Sequence, residues 1–323
     1  MKSSFVHVHL VALRYFGETV RTGSIRQAAE QLNVVPSAVS RQILKLEDQL
    51  QCKLFDRMAE GVRLTAAGEV LYHYILRLER DLNSAISQID DLKGLRRGHV
   101  RIACEDGIGR DFLPGILAAF HAEFPRVTYT VEIASSREIL HQVAEGLTDI
   151  GMAMAPPTRP DVTIAAQMEM PVGIIAHPDN PIAARREVRL ADLADQHLIQ
   201  AEDGIGGDTG YGAHLRASQP DTRLIETNAP DVITNFVESG LGVGIRTPVG
   251  VLASLASGRI RFLPLVDPQI KLPALSIFAK PQRTLPVSGA VLQERLKAAL
   301  PDFRAHVDEV AGLDTDDRST RRA

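Results

Sequence analysis

The sequence has no tryptophan, only two cysteines, and no apolar run of the roughly 18 to 20 residues that a membrane-spanning helix needs. Cys52 and Cys104 are too few for a disulfide-stabilised scaffold, and neither belongs to a Cys-x-x-Cys pair. The first residues carry no basic segment followed by an apolar stretch, so no signal peptide is predicted. Together these absences favour a cytoplasmic protein that does not enter a membrane.

Signatures of catalysis and of metal binding are also missing. The sequence holds no His-Glu-x-x-His or Gly-x-Ser-x-Gly motif, and its ten histidines are scattered. The glycine-rich stretch at 204–212 lacks the Lys-Ser/Thr pair of a phosphate-binding loop. We therefore expect no enzymatic activity, no metal site and no cofactor.

Basic residues are unevenly distributed along the 323-residue chain, whose length predicts two or three domains. Residues 1–65 hold nine Lys and Arg against six Asp and Glu, a net charge of +3, although the whole chain carries −4. Contact with DNA phosphates needs only a local basic patch. The distribution therefore favours a nucleic-acid-binding head on an acidic body.

Residues 24–65 have the pattern of a winged helix-turn-helix, which predicts an all-α DNA-binding domain at 1–65. Ser24 is a suitable N-cap for a short helix with paired alanines, and Asn33 tolerates the left-handed turn that follows. Pro36 suits the first position of the second helix, where its missing N–H is not needed. This second helix would enter the major groove with its N-terminal residues at the base edges.

The outward face of this second helix supplies most of the candidate DNA-binding residues. They are Ser24, Pro36, Ser37, Ser40, Arg41, Gln42, Lys45, Arg57 and Arg63. We expect those on the first two turns to read bases and Lys45 to contact phosphate. Arg57 and Arg63 would reach the backbone or the minor groove from the wing. The alternative is that the serines are ordinary surface residues and that Arg41 is a solvated charge.

Residues 66–93 are predicted to form one long linker helix. Apolar residues recur there at alternating steps of four and three: Leu71, Ile75, Leu78, Leu82, Ala85, Ile89 and Leu92. Such a heptad seam pairs with a second helix, so we expect dimerisation, which would present two recognition helices to a twofold operator. The alternative is an amphipathic helix buried within its own chain.

Beyond a basic hinge at 94–98, strands alternate with single helices, which predicts α/β lobes whose ligands lie at the carboxyl ends of parallel strands. We expect a two-lobed ligand-binding domain at 99–300. Lobe I would comprise 99–165 and 270–300, and lobe II would comprise 166–269. Two lobes joined by two crossings form the hinged, cleft-binding architecture of periplasmic binding proteins. The polar tail at 301–323 is expected to be disordered.

Loops that follow the predicted strands are the candidate walls of a ligand pocket. Their candidate residues are Glu105, Asp106, Gly107, Ser135, Ser136, Ala201, Glu202, Asp203 and Asn228. Backbone N–H groups at the helix start near Ser135 would suit a carboxylate. The acidic residues favour instead a cationic or polyhydroxylated ligand, and each of them also fits an ordinary exposed loop charge. These alternatives stay open at this point.

Residues 5–68 resemble the DNA-binding domain of LysR-type transcriptional regulators. The motifs that carry the resemblance are Ser24 with Ala28 and Ala29, Pro36–Ile43 (PSAVSRQI), Leu46 with Glu47, Leu54–Arg57 (LFDR) and Arg63–Gly68 (RLTAAG). Residues 98–300 match more loosely, through FxxxFP at 120–125, GxxDI at 146–150, PVGII at 171–175 and SGLGVGI at 239–245. The chain departs from the family at Val35, where a capping serine is frequent, and at Cys52.

The resemblance implies a sequence-specific transcriptional regulator whose DNA binding or activation is modulated by a small-molecule effector in the C-terminal cleft. Its implied partners are double-stranded operator DNA, the effector, further copies of itself as a dimer or tetramer, and RNA polymerase. The alternative is a two-lobed solute-binding or enzymatic protein with an accessory head. A third hypothesis is redox sensing through Cys104 or Cys52.

Overall fold

The computed structural model describes residues 9–58, 61–92, 98–201, 223–268, 270–281 and 285–313. The chain divides into two units, residues 1–84 and 85–323. Several sequence-based expectations lie outside the described residues, namely most of the hinge at 94–98, the glycine-rich stretch at 204–212, and Glu202 and Asp203. Within the described ranges, no helix is long and apolar enough to cross a membrane.

Three helices form the core of the first unit. They are α1 (Leu10–Thr22), α2 (Ile25–Gln31) and α3 (Pro36–Leu50). Gly23 ends α1 with φ 67°, and Asn33 has φ 54° in the turn before α3, so both adopt the left-handed conformation that their residue types favour. The apolar faces of the helices meet around Phe16, Val39 and Leu46, which are fully buried. The predicted helix-turn-helix is confirmed.

A small wing follows α3. Its strands are β1 (Phe55–Met58) and β2 (Gly61–Leu64), paired antiparallel. Gly61 has φ 105°, and a Cβ there would lie 2.5 Å from the carbonyl oxygen of Gly23. The Val62 amide donates to that same carbonyl at 3.0 Å. The wing is therefore fixed against the turn between α1 and α2, and only glycine fits at 61.

The long helix α4 (Ala66–Leu92) begins against the wing. The Thr65 hydroxyl donates to the Lys53 carbonyl at 2.7 Å and accepts from the Gly68 amide at 3.1 Å. A Cβ at Gly68 would lie 2.2 Å from the Leu54 carbonyl oxygen, so any larger residue would push α4 away. The RLTAAG motif thus joins the wing to the long helix.

The expected heptad seam on α4 has two different environments. Ile75 is 3% exposed and belongs to the core of the first unit, against which Leu71 also packs. The expectation that Ile75 faces a partner helix is therefore wrong, because the helix-turn-helix of its own chain already covers it. Further along, Leu78 is half-buried, while Leu82 and Ala85 are exposed. The side chains of Ile89 and Leu92 lie outside the described part of the structure.

The first lobe of the second unit contains a five-stranded sheet in the order β4-β3-β5-β12-β6. Its strands are β3 (Gly98–Cys104), β4 (Val127–Ile133), β5 (Ile150–Met154), β6 (Thr163–Glu169) and β12 (Ala274–Ala279). The first three are parallel, and β12 runs antiparallel to both β5 and β6. Three helices connect them: α5 (Asp106–Asp111), α6 (Leu113–Glu123) and α7 (Ser136–Ala144).

The second lobe contains a second five-stranded sheet, in the order β11-β7-β10-β8-β9. Its strands are β7 (Gly173–Ala176), β8 (Leu198–Ala201), β9 (Arg223–Thr227), β10 (Val243–Arg246) and β11 (Arg261–Pro264). Its described helices are α8 (Pro230–Glu238), α9 (Leu252–Ala256) and two short 3-10 turns, Pro181–Ala184 and Leu190–Leu193. Together the two sheets form the expected two-lobed α/β domain.

Two sequence-based boundaries of the lobes are wrong. The second lobe was expected from residue 166, but β6 runs to Glu169 in the sheet of the first lobe, paired with β12. The chain was also expected to be disordered from Pro301, yet α10 (Val287–Val310) continues through this proline. Phe303, Val307 and Ala311 recur every fourth residue and are buried, while Asp302, His306 and Glu309 lie on the exposed face. Residues 314–323 lie outside the described part.

Candidate functional site

The recognition helix α3 has one buried and one exposed face. Val39, Ile43 and Leu46 fill the core of the first unit. The exposed residues are Pro36, Ser37, Arg41 and Lys45, and the half-buried ones are Ser40 and Gln42. The helix begins after Val35, whose backbone is extended and whose side chain offers no cap. Pro36 at the first helical position therefore initiates the helix without a capping hydroxyl.

A shallow groove separates the start of α3 from the wing. It is lined by Ser24, Ile25, Arg26, Pro36, Ser37, Ser40, Met58, Gly61 and Val62. Four of the sequence-predicted DNA-binding residues, Ser24 and those at 36, 37 and 40, are thus brought together in one surface depression. Ser24 is the N-cap residue of α2, but its side chain makes no capping hydrogen bond.

Three of the predicted DNA-binding cations are exposed: Arg41, Lys45 and Arg63. Within the described residues, none of the three forms an ion pair. Other cations of the same unit are engaged: Arg26 pairs with Glu30 at 3.4 Å and Lys53 pairs with Glu47 at 2.7 Å. The three exposed cations can therefore approach an anion without first breaking a contact. Of Arg57, the other predicted wing residue, only the backbone in β1 is described.

Glu47, on the buried side of α3, holds the wing to the recognition helix. One carboxylate oxygen accepts hydrogen bonds from the amides of Leu54 at 2.9 Å and Phe55 at 3.4 Å. The other accepts from Lys53 Nζ at 2.7 Å. The aromatic rings of Phe55 and Phe16 then lie 4.9 Å apart in the core. Glu47 thus adds a direct link between α3 and the start of the wing to the backbone contacts of Val62 and Gly61 with Gly23.

The environment of Glu47 favours its ionised form. Burial acts to raise its pKa, but the hydrogen bonds from Lys53, Leu54 and Phe55 outweigh burial, and the pKa lies below the usual 4.5. Glu47 belongs to the motif Leu46 with Glu47 that carries the family resemblance, but its sequence position alone predicted no role for it. A carboxylate at a position where the helical period predicts an inward-facing residue was the sequence feature that could have indicated a structural role for Glu47.

In the second unit, several predicted effector residues contact one another. Glu105, directly after β3, accepts hydrogen bonds from the Met154 amide at 3.0 Å and from the Ser136 hydroxyl. It thereby ties the ends of β3 and β5 to the start of α7. Burial raises the pKa of Glu105, and the two hydrogen bonds only partly offset this effect. The helix start that we expected to receive an external carboxylate therefore already lies beside a carboxylate of the chain itself.

The remaining predicted effector residues are more dispersed. Ser135 caps α7 by accepting from the Glu138 amide at 3.3 Å, and Asp106 pairs with Arg110 within α5 at 2.9 Å. Ala201 ends β8, and Asn228 is exposed between β9 and α8. Asp106 and Gly107, which were predicted to lie in a loop after β3, instead lie in α5, for which Glu105 is the N-cap residue.

The two lobes touch at a pair of glycines that the sequence analysis did not identify as partners. A Cβ at Gly107 would lie 2.9 Å from the Val249 carbonyl, and a Cβ at Gly250 would lie 2.8 Å from Gly107 Cα. Beside them, Asp111 accepts from the amides of Gly250 at 2.6 Å and Leu252 at 3.3 Å. Burial raises the pKa of Asp111, although these amides and neighbouring arginines act in the opposite direction.

Arg246, at the end of β10, lies at the same junction and was also missed. The residue is 8% exposed and its guanidinium donates to the Thr234 hydroxyl at 3.0 Å and to the Pro230 carbonyl. A Cβ on Gly250 would lie 3.3 Å from its Nη2. The available signal was an arginine that directly follows the apolar run of a predicted buried strand. The junction between the lobes therefore contains a buried arginine and a half-buried carboxyl group.

The two cysteines differ in accessibility. Cys52 is exposed and Cys104 is fully buried at the end of β3. Burial, with the negative charges of Asp106 and Glu105, raises the pKa of the Cys104 thiol to about 12. A thiol with this pKa is almost entirely protonated at neutral pH and reacts slowly. Across the described ranges, no group of three or more His, Cys, Asp and Glu side chains is placed to share a metal ion.

Comparison with known families agrees with both units. Residues 10–69 match the family described as bacterial regulatory helix-turn-helix protein, lysR family. Residues 93–301 match the LysR substrate binding domain. The chain belongs to the LysR family of transcriptional regulators. Both halves of the LysR architecture are thus present, and the geometry of α3 and the wing is that of its DNA-binding domain.

Individual LysR relatives are similar over most of their length. A RuBisCO operon transcriptional regulator of Allochromatium vinosum is 27% identical over 286 residues, which cover 88% of this chain and 94% of the relative. The HTH-type transcriptional activator CmpR of Synechocystis sp. is 27% identical over 250 residues, covering 76% of this chain and 79% of CmpR.

Solved LysR structures share the fold. The crystal structure of full-length CbnR complexed with its target DNA has a TM-score of 0.68 at 20% identity, covering 91% of this chain and 99% of CbnR. A full-length OxyR variant from Pseudomonas aeruginosa has a TM-score of 0.65 at 21% identity, covering 90% of this chain and 98% of OxyR. At these identities the likeness concerns the fold alone.

Glu47→Gln in this LysR regulator should loosen the wing, because the uncharged amide cannot satisfy all three donors. We expect the first unit to lose about 2 kcal/mol at pH 7. Hydrogen exchange in increasing urea, read on peptides from α1 to α3, measures this unit separately. Glu30→Gln, which removes only an exposed i,i+4 pair with Arg26, should change stability by less than about 0.5 kcal/mol.

The difference in stability between the wild type and Glu47→Gln should become smaller at acidic pH. Because the folded-state pKa of Glu47 is lowered, its contribution is fully present above the unfolded value of 4.5 and is lost as pH falls through the folded value. The wild-type advantage over Glu47→Gln should therefore shrink below pH 4.5. A constant difference between pH 7 and pH 3 would show that Glu47 is not stabilised as an anion.

Thiol alkylation should distinguish the two cysteines. In the folded protein at pH 8, iodoacetamide should label Cys52 and leave Cys104 unmodified, because Cys104 is buried and its pKa is about 12. Peptide mass spectrometry gives the labelled fraction at each site, and denatured protein, in which both sites react, is the control. Equal labelling rates in the folded protein would revive the redox hypothesis for Cys104.

Proposed function

We propose that this LysR-family regulator binds an operator through the exposed face of α3 and the adjacent wing. The observation that carries the proposal is the exposed set Arg41, Lys45 and Arg63, which makes no ion pair within the described residues, in the same unit as the groove lined by Ser24 and Ser37. Exposed, unpaired cations are the groups that contact phosphates, and the start of a recognition helix is placed to reach base edges. CbnR, which shares the fold, has been solved with its target DNA.

Within this surface we assign different roles to the two cations of α3. Arg41 lies within the first two turns, where side chains reach bases, and a bidentate arginine discriminates guanine. Lys45 lies one turn further along the same exposed face, and we assign it to phosphate. Ser37 and Ser40 would supply hydrogen bonds beside Arg41, with Gln42 at the edge of the contact.

We infer that the chain dimerises through the part of α4 beyond the helix-turn-helix core. Leu82 is 49% exposed and Ala85 is exposed, so this stretch of the seam has apolar surface that the first unit does not cover. Leu71 and Ile75, in contrast, are used by the core of their own chain. Ile89 and Leu92 would continue the seam. A dimer supplies the two recognition helices that a twofold operator requires.

For the second unit we propose a small-molecule effector site between the lobes. Its support is the match to the LysR substrate binding domain at 93–301 and the position of Gly107, Asp111 and Gly250, which lie where the two lobes meet. An effector changes DNA binding only if its affinity differs between two arrangements of the protein. On this proposal the protein acts by binding and not by turnover, and it acts in the cytoplasm, where DNA is accessible.

Arg41→Ala should weaken specific DNA binding by about 10- to 100-fold, the effect of losing one good base contact. A duplex selected from a random library supplies the specific probe, and a scrambled duplex of equal length measures non-specific binding. In mobility-shift titrations the non-specific affinity should fall much less. Equal losses on both duplexes would make Arg41 a phosphate contact.

Two matched variants complete the experiment. Lys45→Ala should weaken specific and non-specific binding to a similar extent and reduce the slope of log affinity against log salt by about 1. Arg126→Ala, an exposed arginine of the second unit, should leave both unchanged. If no selected duplex binds better than the scrambled one at any salt concentration, the proposed sequence-specific function is wrong.

Leu82→Glu should weaken self-association, because it places a charge in the proposed apolar seam. We expect the dimer dissociation constant, measured by sedimentation velocity over a concentration series, to rise at least about 10-fold, or about 1.4 kcal/mol. His73→Glu adds the same side chain at another exposed position of α4 and should leave the constant unchanged. Unchanged association of Leu82→Glu would remove this residue from the interface.

A further inference from the structure

The C-terminal end of α10 extends beyond the part of the chain that matches the family. The match to the LysR substrate binding domain ends at residue 301, yet residues 301–313 are structured. We call this segment the strap. The helix that carries it begins in the first lobe, where Leu292, Leu296 and Leu300 are buried in the core. The strap therefore starts from a firmly anchored helix.

A buried ion pair fixes the strap where the chain crosses between lobes. Arg304 Nε lies 3.0 Å from both carboxylate oxygens of Asp308. The Arg304 guanidinium also donates to the carbonyl of Glu169, the last residue of β6. The two charged side chains are only 10% and 3% exposed. Because an isolated buried charge is costly, this pair holds its geometry firmly, one residue before the chain leaves the first lobe at Met170.

The end of the strap packs on the second lobe. Ala311 belongs to the apolar cluster that also contains Ile175 and Phe262 of the second sheet, and Leu313 packs against it. Gly312, with φ 66°, ends the helix, and the Leu313 amide donates to the Asp308 carbonyl at 2.9 Å. This helix-ending turn directs Leu313 back toward the protein. One continuous segment thus contributes to the cores of both lobes.

We propose that the strap at residues 301–313 ties the second lobe to the first and limits how far the two lobes can separate. The chain itself crosses between lobes twice, near Met170 and again before Ala274, which alone would form a two-stranded hinge. The strap adds a connection to these crossings and to the contact of Gly250 with Gly107 and Asp111. It is held at one end by Arg304 and Asp308 and at the other by Ala311. A hinge with an added connection opens less readily than one without it.

The test compares two aspartates introduced on the same helix of the full-length protein. Ala311→Asp places a charge in the second-lobe contact, whereas Ala305→Asp places it on the exposed face. Hydrogen exchange followed by mass spectrometry should show amides around 170–172 and 270–273 exchanging at least about fivefold faster in Ala311→Asp. Ala305→Asp should exchange like the wild type, and β3 and β5 should stay protected in both.

Two truncated chains test the same contact if Ala311→Asp folds poorly. A chain that stops after Val310 loses the second-lobe contact and should also show faster exchange at both crossings. A chain that stops after Leu313 keeps the contact and should match the wild type. Wild-type exchange at the crossings in both Ala311→Asp and the shorter chain would overturn the proposal. So would a uniform loss of protection throughout the second sheet, since the segment would then be an ordinary part of that lobe's core.

Discussion

The carboxylate of Glu47 is the contact on which the DNA-binding half of the molecule depends. This carboxylate is buried on α3, the helix that presents Arg41 and Lys45. It accepts hydrogen bonds from the backbone amides at the start of the wing. Two close backbone approaches in the same unit, of Gly61 to the Gly23 carbonyl and of Gly68 to the Leu54 carbonyl, leave no room for a side chain. A charged hydrogen-bonding centre with two glycine contacts therefore sets the angle between helix and wing.

Local chemistry made much of the first unit predictable. Gly23, Asn33 and Pro36 act through backbone preferences that their residue types carry with them, so helix ends could be read directly. The surroundings of the apolar seam on α4 were harder to predict, because spacing shows which residues share a face but not what covers that face. Ile75 has the correct spacing for a partner helix and is covered by its own chain instead.

In the second unit, too, the sequence pattern predicted the elements but not the contacts between residues that are far apart in the chain. The alternation of strands and helices predicted two α/β lobes, but not that β6 belongs with β12, which lies more than a hundred residues later. The candidate effector residues were chosen as loop positions, and the structure uses Glu105 to tie three elements together. Asp111, Arg246 and Gly250 become neighbours only through the packing of the lobes. The segment beyond Pro301 was predicted to be disordered because polar residues dominate its composition, although buried apolar residues recur there every four positions.

The helix α4 begins inside the core of the first unit and extends beyond it. Its first turns are part of the same core as the recognition helix, with Ile75 packed beside Phe16 and Val39, and the helix then continues without interruption to Leu92. A close-packed core transmits displacement instead of absorbing it. A displacement of these first turns of α4 is therefore passed on to α3 and its exposed cations.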